Sequence, residues 1–358
     1  VPVQFWYLKI VDDFKPRYIY VSRLASQITV EEKNIMTQQK GIKMGYLAAI
    51  LYSLFIGLSF MFVKLIVPIA TTLDILAIRF MLAFIFLTIP ILFGWVKLEV
   101  KLKDIYRFVP FALLYPILFF TFQTWGLLEA TSAEGGIMQA TAPIFTILLA
   151  SLFLKEKTNI WQKLSLLLSV SGVIFIFAMQ GSSFSMGHMK GILFLLASTL
   201  TFAIYTIFVR RSGSTFKPYD MSYMIIMLSF VSFSGASITQ HITASTVSNL
   251  IDTINQPVFW YSILYLSLFS TVFAIFLSNF ALSKLEAYKV SVFINLSTLV
   301  SIFAGAIFLG ELLTYVHIVG AIMIILGVLG TNLAGRWSKK SNPKVNPITK
   351  NMDVSIKN

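Results

Sequence analysis

The chain reads as ten long apolar runs divided by short polar or basic connections, and the length of these runs decides the fold class. They cover 44–65, 73–94, 106–128, 133–154, 161–180, 190–209, 219–240, 258–282, 287–309 and 314–334. A bilayer core needs about 20 helical residues, and each run supplies that length. Apolar positions inside the runs are continuous, so the alternating ten-residue pattern of a membrane barrel is missing. A helix closes its own backbone hydrogen bonds, which lipid cannot do for it. The expected fold is an all-α integral membrane protein with ten transmembrane helices.

Composition narrows the chemistry. Of the 358 residues 57% are apolar and only 12% are charged, which excludes a water-soluble globule. There is no cysteine, hence no disulfide framework, thiolate metal site or cysteine nucleophile. The three histidines, His188, His241 and His317, are far apart in sequence and offer little for a metal cluster, so neither a metal nor a cofactor is expected. A net charge of +13 would point to nucleic acid in a soluble protein. Here the bases sit in loops and tails, and the partner they imply is the lipid bilayer rather than nucleic acid.

Those bases orient the chain. The connections after the even spans carry Lys97, Lys101, Lys103 and Arg107, then Lys155, Lys157 and Lys163, then Arg210, Arg211 and Lys217, then Lys284 and Lys289. The connections after the odd spans carry only Lys64 and Lys190. Lysine and arginine are retained on the cytoplasmic side, so both termini are expected in the cytoplasm of a multi-pass cell-membrane protein.

The sequence also repeats. A shift of 146 pairs Gly45 with Gly191, Phe62 with Phe208, Val63 with Val209 and Asp74 with Asp220. A shift of 155 pairs Leu154 with Leu309, Glu156 with Glu311 and Gly172 with Gly327, and sets Ala142, Thr146 and Ala150 on Ser297, Ser301 and Gly305. Such small-residue stripes let helices approach closely, here the fourth and ninth. Two units are predicted, 44–182 and 183–334, each of five helices. An odd number of spans makes them inverted repeats, an arrangement that favours a solute site near the midplane. A basic tail, 335–358, follows. Residues 1–43 form an N-terminal extension with no span, and their valine start suggests an overextended reading frame with translation beginning at Met36.

Several strings resemble the drug/metabolite transporter superfamily, in its ten-helix EamA-like form, over about residues 44–334. They are Phe62-Val63-Lys64, Ala77-Ile78-Arg79-Phe80, Pro143-Ile144-Phe145 with Leu154-Lys155-Glu156, and Phe308-Leu309-Gly310-Glu311 with Gly320 and Gly327. Thr298 stands where the second repeat often has proline, and Ile225 stands opposite Arg79. The resemblance implies a transporter, often an exporter of small polar metabolites such as amino acids, working by alternating access. A multidrug efflux carrier is the first alternative; a channel, scramblase or integral membrane enzyme belongs to other classes. No catalytic motif supports an enzyme. A homodimer stays open.

The candidate substrate-binding residues are Arg79, Tyr115, Gln123, Gln139, Asn279 and Asn295. Arg79 lies roughly 7 to 8 Å along its helix from Asp74, and an intramembrane arginine must face protein or water. It either receives a solute carboxylate or clamps helix-end carbonyls or Glu134. Tyr115, Phe119 and Gln123 share a face at the helical period, as cavity or as packing. The four amides would sit above and below one cavity, or else join helices. Glu156, Glu311 and Pro143 read as structural or gating positions, the glutamates by holding backbone amides at helix turns or by linking the repeats.

Overall fold

A computed structural model of the chain describes residues 39–100, 102–153, 160–179, 186–212, 218–244, 247–285 and 287–340, and among these every regular element is helical. The candidate start at Met36 and Glu156 lie outside the described residues. The helices are α1 (Gln39–Ile66), α2 (Thr72–Leu92), α3 (Val109–Glu129), α4 (Ser132–Phe153), α5 (Ile160–Met179), α6 (Met186–Ser212), α7 (Pro218–Ala244), α8 (Pro257–Ala281), α9 (Ala287–Phe308) and α10 (Tyr315–Lys340). A short helix, Val247–Ile254, lies between α7 and α8. Seven of the ten are long and apolar enough to cross a bilayer, and α5, α9 and α10 contain shorter apolar stretches at the other three predicted spans. The protein is a multi-helix membrane protein. α1 begins at Gln39, several residues before the apolar run, because a helix can extend beyond the apolar layer where residues such as Lys40 and Lys43 stay exposed.

Helices matched by the internal repeat pack on each other: α2 on α7, α4 on α9, and α5 on α10. The α5–α10 contact depends on missing side chains. A Cβ on Gly172 would lie 2.9 Å from the Gly320 carbonyl, and Ser169 Oγ donates to the Ile324 carbonyl at 3.0 Å. Aromatic rings fill the α2–α7 seam, with Phe80 stacked on Phe233 at 5.5 Å and Phe84 on Phe230 at 5.5 Å. Tyr219 donates its hydroxyl hydrogen to the Leu87 carbonyl at 2.6 Å and closes one end of that seam.

The α4–α9 approach corrects one expectation. Ser301 Oγ donates to the Ser132 carbonyl at 2.5 Å, and Thr298 Oγ1 donates to the Gly136 carbonyl at 2.9 Å. The small stripe of α9 therefore meets Ser132 and Gly136, not Ala142, Thr146 and Ala150, whose half of α4 packs on α6. The reason is a break: Ala140 and Thr141 form a turn, so the two halves of α4 face different neighbours. Pro143 follows in the first turn of the second half, where its missing N–H is tolerated. In α9 the repeat shift matches Thr298 to Pro143, and without a proline there the helix runs unbroken.

Two further helices are interrupted. In α3 the helix is kinked within Leu113–Leu118, where Tyr115 is extended at φ −144 and ψ 117 and its bond to Pro116 is cis. In α8 a π-helical stretch covers Tyr265–Phe273. The shift of 155 that aligns the halves carries Tyr115 onto Ser270 and Pro116 onto Thr271, so both third helices depart from α geometry at the same place. Wide turns inserted in an α-helix, as in α8, occur frequently at functional sites.

Candidate functional site

Arg79 projects from α2 onto the interrupted part of α8. Only 1% of it is exposed. Its Nε donates to Thr271 Oγ1 at 3.0 Å and its Nη2 to Ser270 Oγ at 3.2 Å, while the guanidinium carbon lies 4.0 Å from the centre of the Phe120 ring. The guanidinium has five N–H donors, and these hydroxyls engage two of its nitrogens. No described carboxylate lies within ion-pair distance of it. The alternative clamp on helix-end carbonyls or on Glu134 is therefore corrected: hydroxyls and a ring face surround Arg79, and Glu134 is committed elsewhere. Ser270 and Thr271 were not among the expected residues. The signal for them was present, since the repeat shift aligns them with Tyr115 and Pro116.

The Tyr115 ring contacts those of Phe119, Phe120, Phe202 and Tyr205 at 5.1 to 5.6 Å, and Phe120 is the ring that faces the Arg79 guanidinium. The uniform helical face predicted for Tyr115, Phe119 and Gln123 does not hold, because the backbone at Tyr115 is extended. Gln123 and Gln139 are buried, at 4% and 7% exposure, and Asn279 is half-buried. None of these three amides hydrogen-bonds to a described residue. An amide withdrawn from solvent is stable only beside water, a solute or another polar group. Asn295 lies on α9, and its side chain is outside the described residues. A cavity of about 420 Å3 opens instead beside the turn after α1, lined by residues including Thr71, Asp74, Asp252 and Gln256, and none of the expected binding residues lines it.

All three histidines, dismissed from sequence as scattered, meet buried carboxylates. His241 Nε2 lies 2.8 Å from Asp74 Oδ1, which also accepts from Ser237 Oγ at 2.6 Å. His188 Nε2 and His317 Nε2 lie 3.1 and 3.3 Å from Glu134 Oε1. These pairs bridge segments far apart in sequence. One signal could have found them: each histidine falls at the end of a span opposite to its lysine-rich connections. Among the described residues no group of three or more histidine, aspartate or glutamate side chains is arranged to hold a metal ion.

A single family model, described as the EamA-like transporter family, matches the chain twice, over residues 43–178 and 189–333. The chain belongs to the EamA-like transporter family. It is 44% identical to the Bacillus subtilis (strain 168) protein named "Uncharacterized transporter YcxC", over 80% of this chain and 92% of the relative. An Archaeoglobus fulgidus protein named "Uncharacterized transporter" is 26% identical over 76% of this chain and 93% of its own length. The Escherichia coli (strain K12) "Probable amino-acid metabolite efflux pump" is 26% identical over 57% of this chain and 68% of its own. A solved crystal structure shares the fold with a TM-score of 0.54 at 14% identity, covering 84% of this chain and 99% of that one.

Two of the strings that resemble EamA-like proteins serve helix ends in this chain. Lys64 Nζ donates to the Leu127 and Ala130 carbonyls at 2.9 and 2.7 Å, closing the C-terminus of α3. Glu311 accepts from the Ser132 N–H at 2.7 Å, the Ser132 hydroxyl at 2.9 Å and the Ala133 N–H at 3.1 Å, so it caps α4 from the connection before α10. A carboxylate on unpaired N–H groups at a helix start is well placed electrostatically. Glu311 thus both holds backbone amides and links the two matched regions of this EamA-like transporter.

Proposed function

We propose that this protein exports small carboxylate-bearing metabolites, such as amino acids and related compounds, across the cell membrane by alternating access between two inverted five-helix repeats. The observation that carries this reading is the buried Arg79, held by two hydroxyls and a ring face without a described carboxylate. A charged side chain at a helix centre in lipid costs about 2.5 to 3.5 kcal/mol on insertion scales. A solute carboxylate supplies the missing countercharge, and the planar guanidinium fork suits its two oxygens.

Position supports the same reading. Arg79 abuts the interrupted turn of α8, the matching interruption of α3 holds Tyr115, and transporters of inverted-repeat design bind solutes at broken helices near the midplane. Gln123, Gln139, Asn279 and Asn295 supply the remaining polar contacts of the proposed site. The lysine-rich connections face the cytoplasm and the histidine ends of the bundle face outward. Outward direction is favoured by the name of the Escherichia coli relative, an amino-acid metabolite efflux pump. A positive residue in the site disfavours the alternative of an organic-cation efflux carrier, because like charges repel in a low dielectric.

Metabolite profiling of medium from cells overproducing the protein tests the reading. Accumulation of one or a few carboxylates outside supports it, and accumulation of organic cations alone contradicts it. In liposomes a carrier gives saturable flux with trans-stimulation, whereas linear, unsaturable flux indicates a pore.

A further inference from the structure

We propose that His188 is a proton-binding site that latches the histidine end of the bundle closed, so that acidification on that side holds the carrier shut and alkalinisation releases it. The argument begins with the acceptors around its ring. Nε2 faces Glu134 Oε1 at 3.1 Å, and Nδ1 faces the Glu129 carbonyl oxygen at 3.4 Å. Carboxylates and carbonyls only accept hydrogen bonds, so both ring nitrogens are satisfied together only when both carry hydrogen, which is the imidazolium form.

His317 differs in one respect. Its Nε2 also faces Glu134 Oε1, at 3.3 Å, but its Nδ1 meets the Thr314 hydroxyl at 2.8 Å. A hydroxyl donates as well as accepts, so His317 is fully bonded while neutral. The two histidines on one carboxylate therefore differ: His188 alone needs hydrogen on both ring nitrogens to satisfy both of its contacts.

The surrounding charges agree. Glu134 is 1% exposed, and its Oε2 is occupied by the Thr131 N–H at 2.9 Å and the Thr131 hydroxyl at 3.0 Å. From α3, the Glu129 carboxylate lies against Gly187 beside His188. From α1, Lys64 contributes one cation on the Leu127 and Ala130 carbonyls, and from the connection before α10, Glu311 contributes a third carboxylate. On α6 itself Lys190 is exposed. Among these described residues three carboxylates face two lysines, Lys64 and Lys190, and a proton on His188 offsets the remaining negative charge. The His188 side chain is 22% exposed, against 1% for Glu134, so the proton reaches the cluster through His188.

The contact has mechanical consequence because Glu134 is on α4, His188 on α6 and His317 on α10. Opening this end separates those helices, and loss of the proton removes one of the bonds that oppose separation. Placing this end outside rests on the orientation proposed above, whereas the response of the latch to protons does not.

The test uses the full chain in lipid nanodiscs, where both faces share one pH. The protein has no cysteine, so nitroxide labels attach only at Met186→Cys and Leu312→Cys, exposed positions at the start of α6 and before α10. Electron paramagnetic resonance then measures the separation of the two elements at about pH 5.5 and about pH 8.5, either side of the ordinary histidine range. The latch predicts a longer-distance population that grows by about 5-fold to 150-fold relative to the short one as pH rises, the usual span of coupling between a ligand and a two-state equilibrium. His188→Gln should give the longer distance at both pH values, His188→Lys the shorter distance at both, and His317→Gln should keep the pH response. A pH response unchanged in both His188→Gln and His188→Lys overturns the proposal, as does a distance in the unsubstituted background that ignores pH. Neither readout involves a solute, so failure of the carboxylate reading leaves this test intact.

Discussion

Arg79 and Thr271, separated by 192 positions in sequence, meet with Nε donating to Oγ1 at 3.0 Å. Thr271 passes its own hydroxyl hydrogen to the Leu266 carbonyl at 2.8 Å, five residues back, across the wide turn of α8. One hydroxyl thus holds the guanidinium and fills a gap in the broken helix.

Thr271→Val should damage both tasks while preserving shape. A hydrogen bond to a charged group contributes about 1.5 to 3 kcal/mol, so the variant should lose stability on that order and Thr271→Ser should stay close to the parent. Thermal unfolding of the purified protein in detergent measures this; equal midpoints for the valine and serine variants would show that the bond contributes nothing.

Glu311 gives a second expectation, independent of any solute. Glu311→Ala leaves the buried N–H groups of Ser132 and Ala133 without their acceptor, at about 1 to 3 kcal/mol for an unsatisfied donor. Glu311→Gln keeps an acceptor oxygen but loses the charge that favours the α4 N-terminus, and should fall between. Folded yield after membrane extraction, with the unfolding midpoint of what survives, orders the three proteins.

Orientation can be read with single cysteines in a chain that has none of its own. Leu312→Cys at the histidine end and Trp95→Cys after α2 are both well exposed. An impermeant thiol reagent on intact cells should label the first and spare the second; the reverse pattern inverts the topology.

Much of the fold was legible because lipid imposes one strong demand, that a spanning segment satisfy its own backbone, and continuous apolar runs announce it. That Glu311 holds backbone amides was legible from its place in a short turn, but the amides are those of Ser132 and Ala133 at the start of α4 and not the neighbouring ones. The breaks were harder. Pro116 inside the third span is a break signal that the reading of that run did not use, nothing in the run around Tyr265 marks a π-helical turn, and Thr298 in place of proline gave the reverse signal, an unbroken α9. Partnerships such as His188 with Glu134 and Arg79 with Ser270 depend on which helices are neighbours, and helical periodicity carries no information about that. The repeat offered a partial guide, since it paired α4 with α9 correctly and misassigned only the half of α4 involved.

The most direct measurement of the central claim compares a carboxylate solute, once profiling has named it, with its carboxamide in liposomes normalised to folded protein. The account predicts that Arg79→Ala weakens the apparent affinity for the carboxylate by about 10-fold to 150-fold, equivalent to about 1.5 to 3 kcal/mol. Arg79→Lys, which keeps the charge and loses the two-pronged geometry, should lie between. The carboxamide should bind the parent weakly and lose little more in the alanine variant. An Arg79→Ala protein with normal affinity for the carboxylate would contradict the account and leave Arg79 a structural residue of the α2–α8 contact.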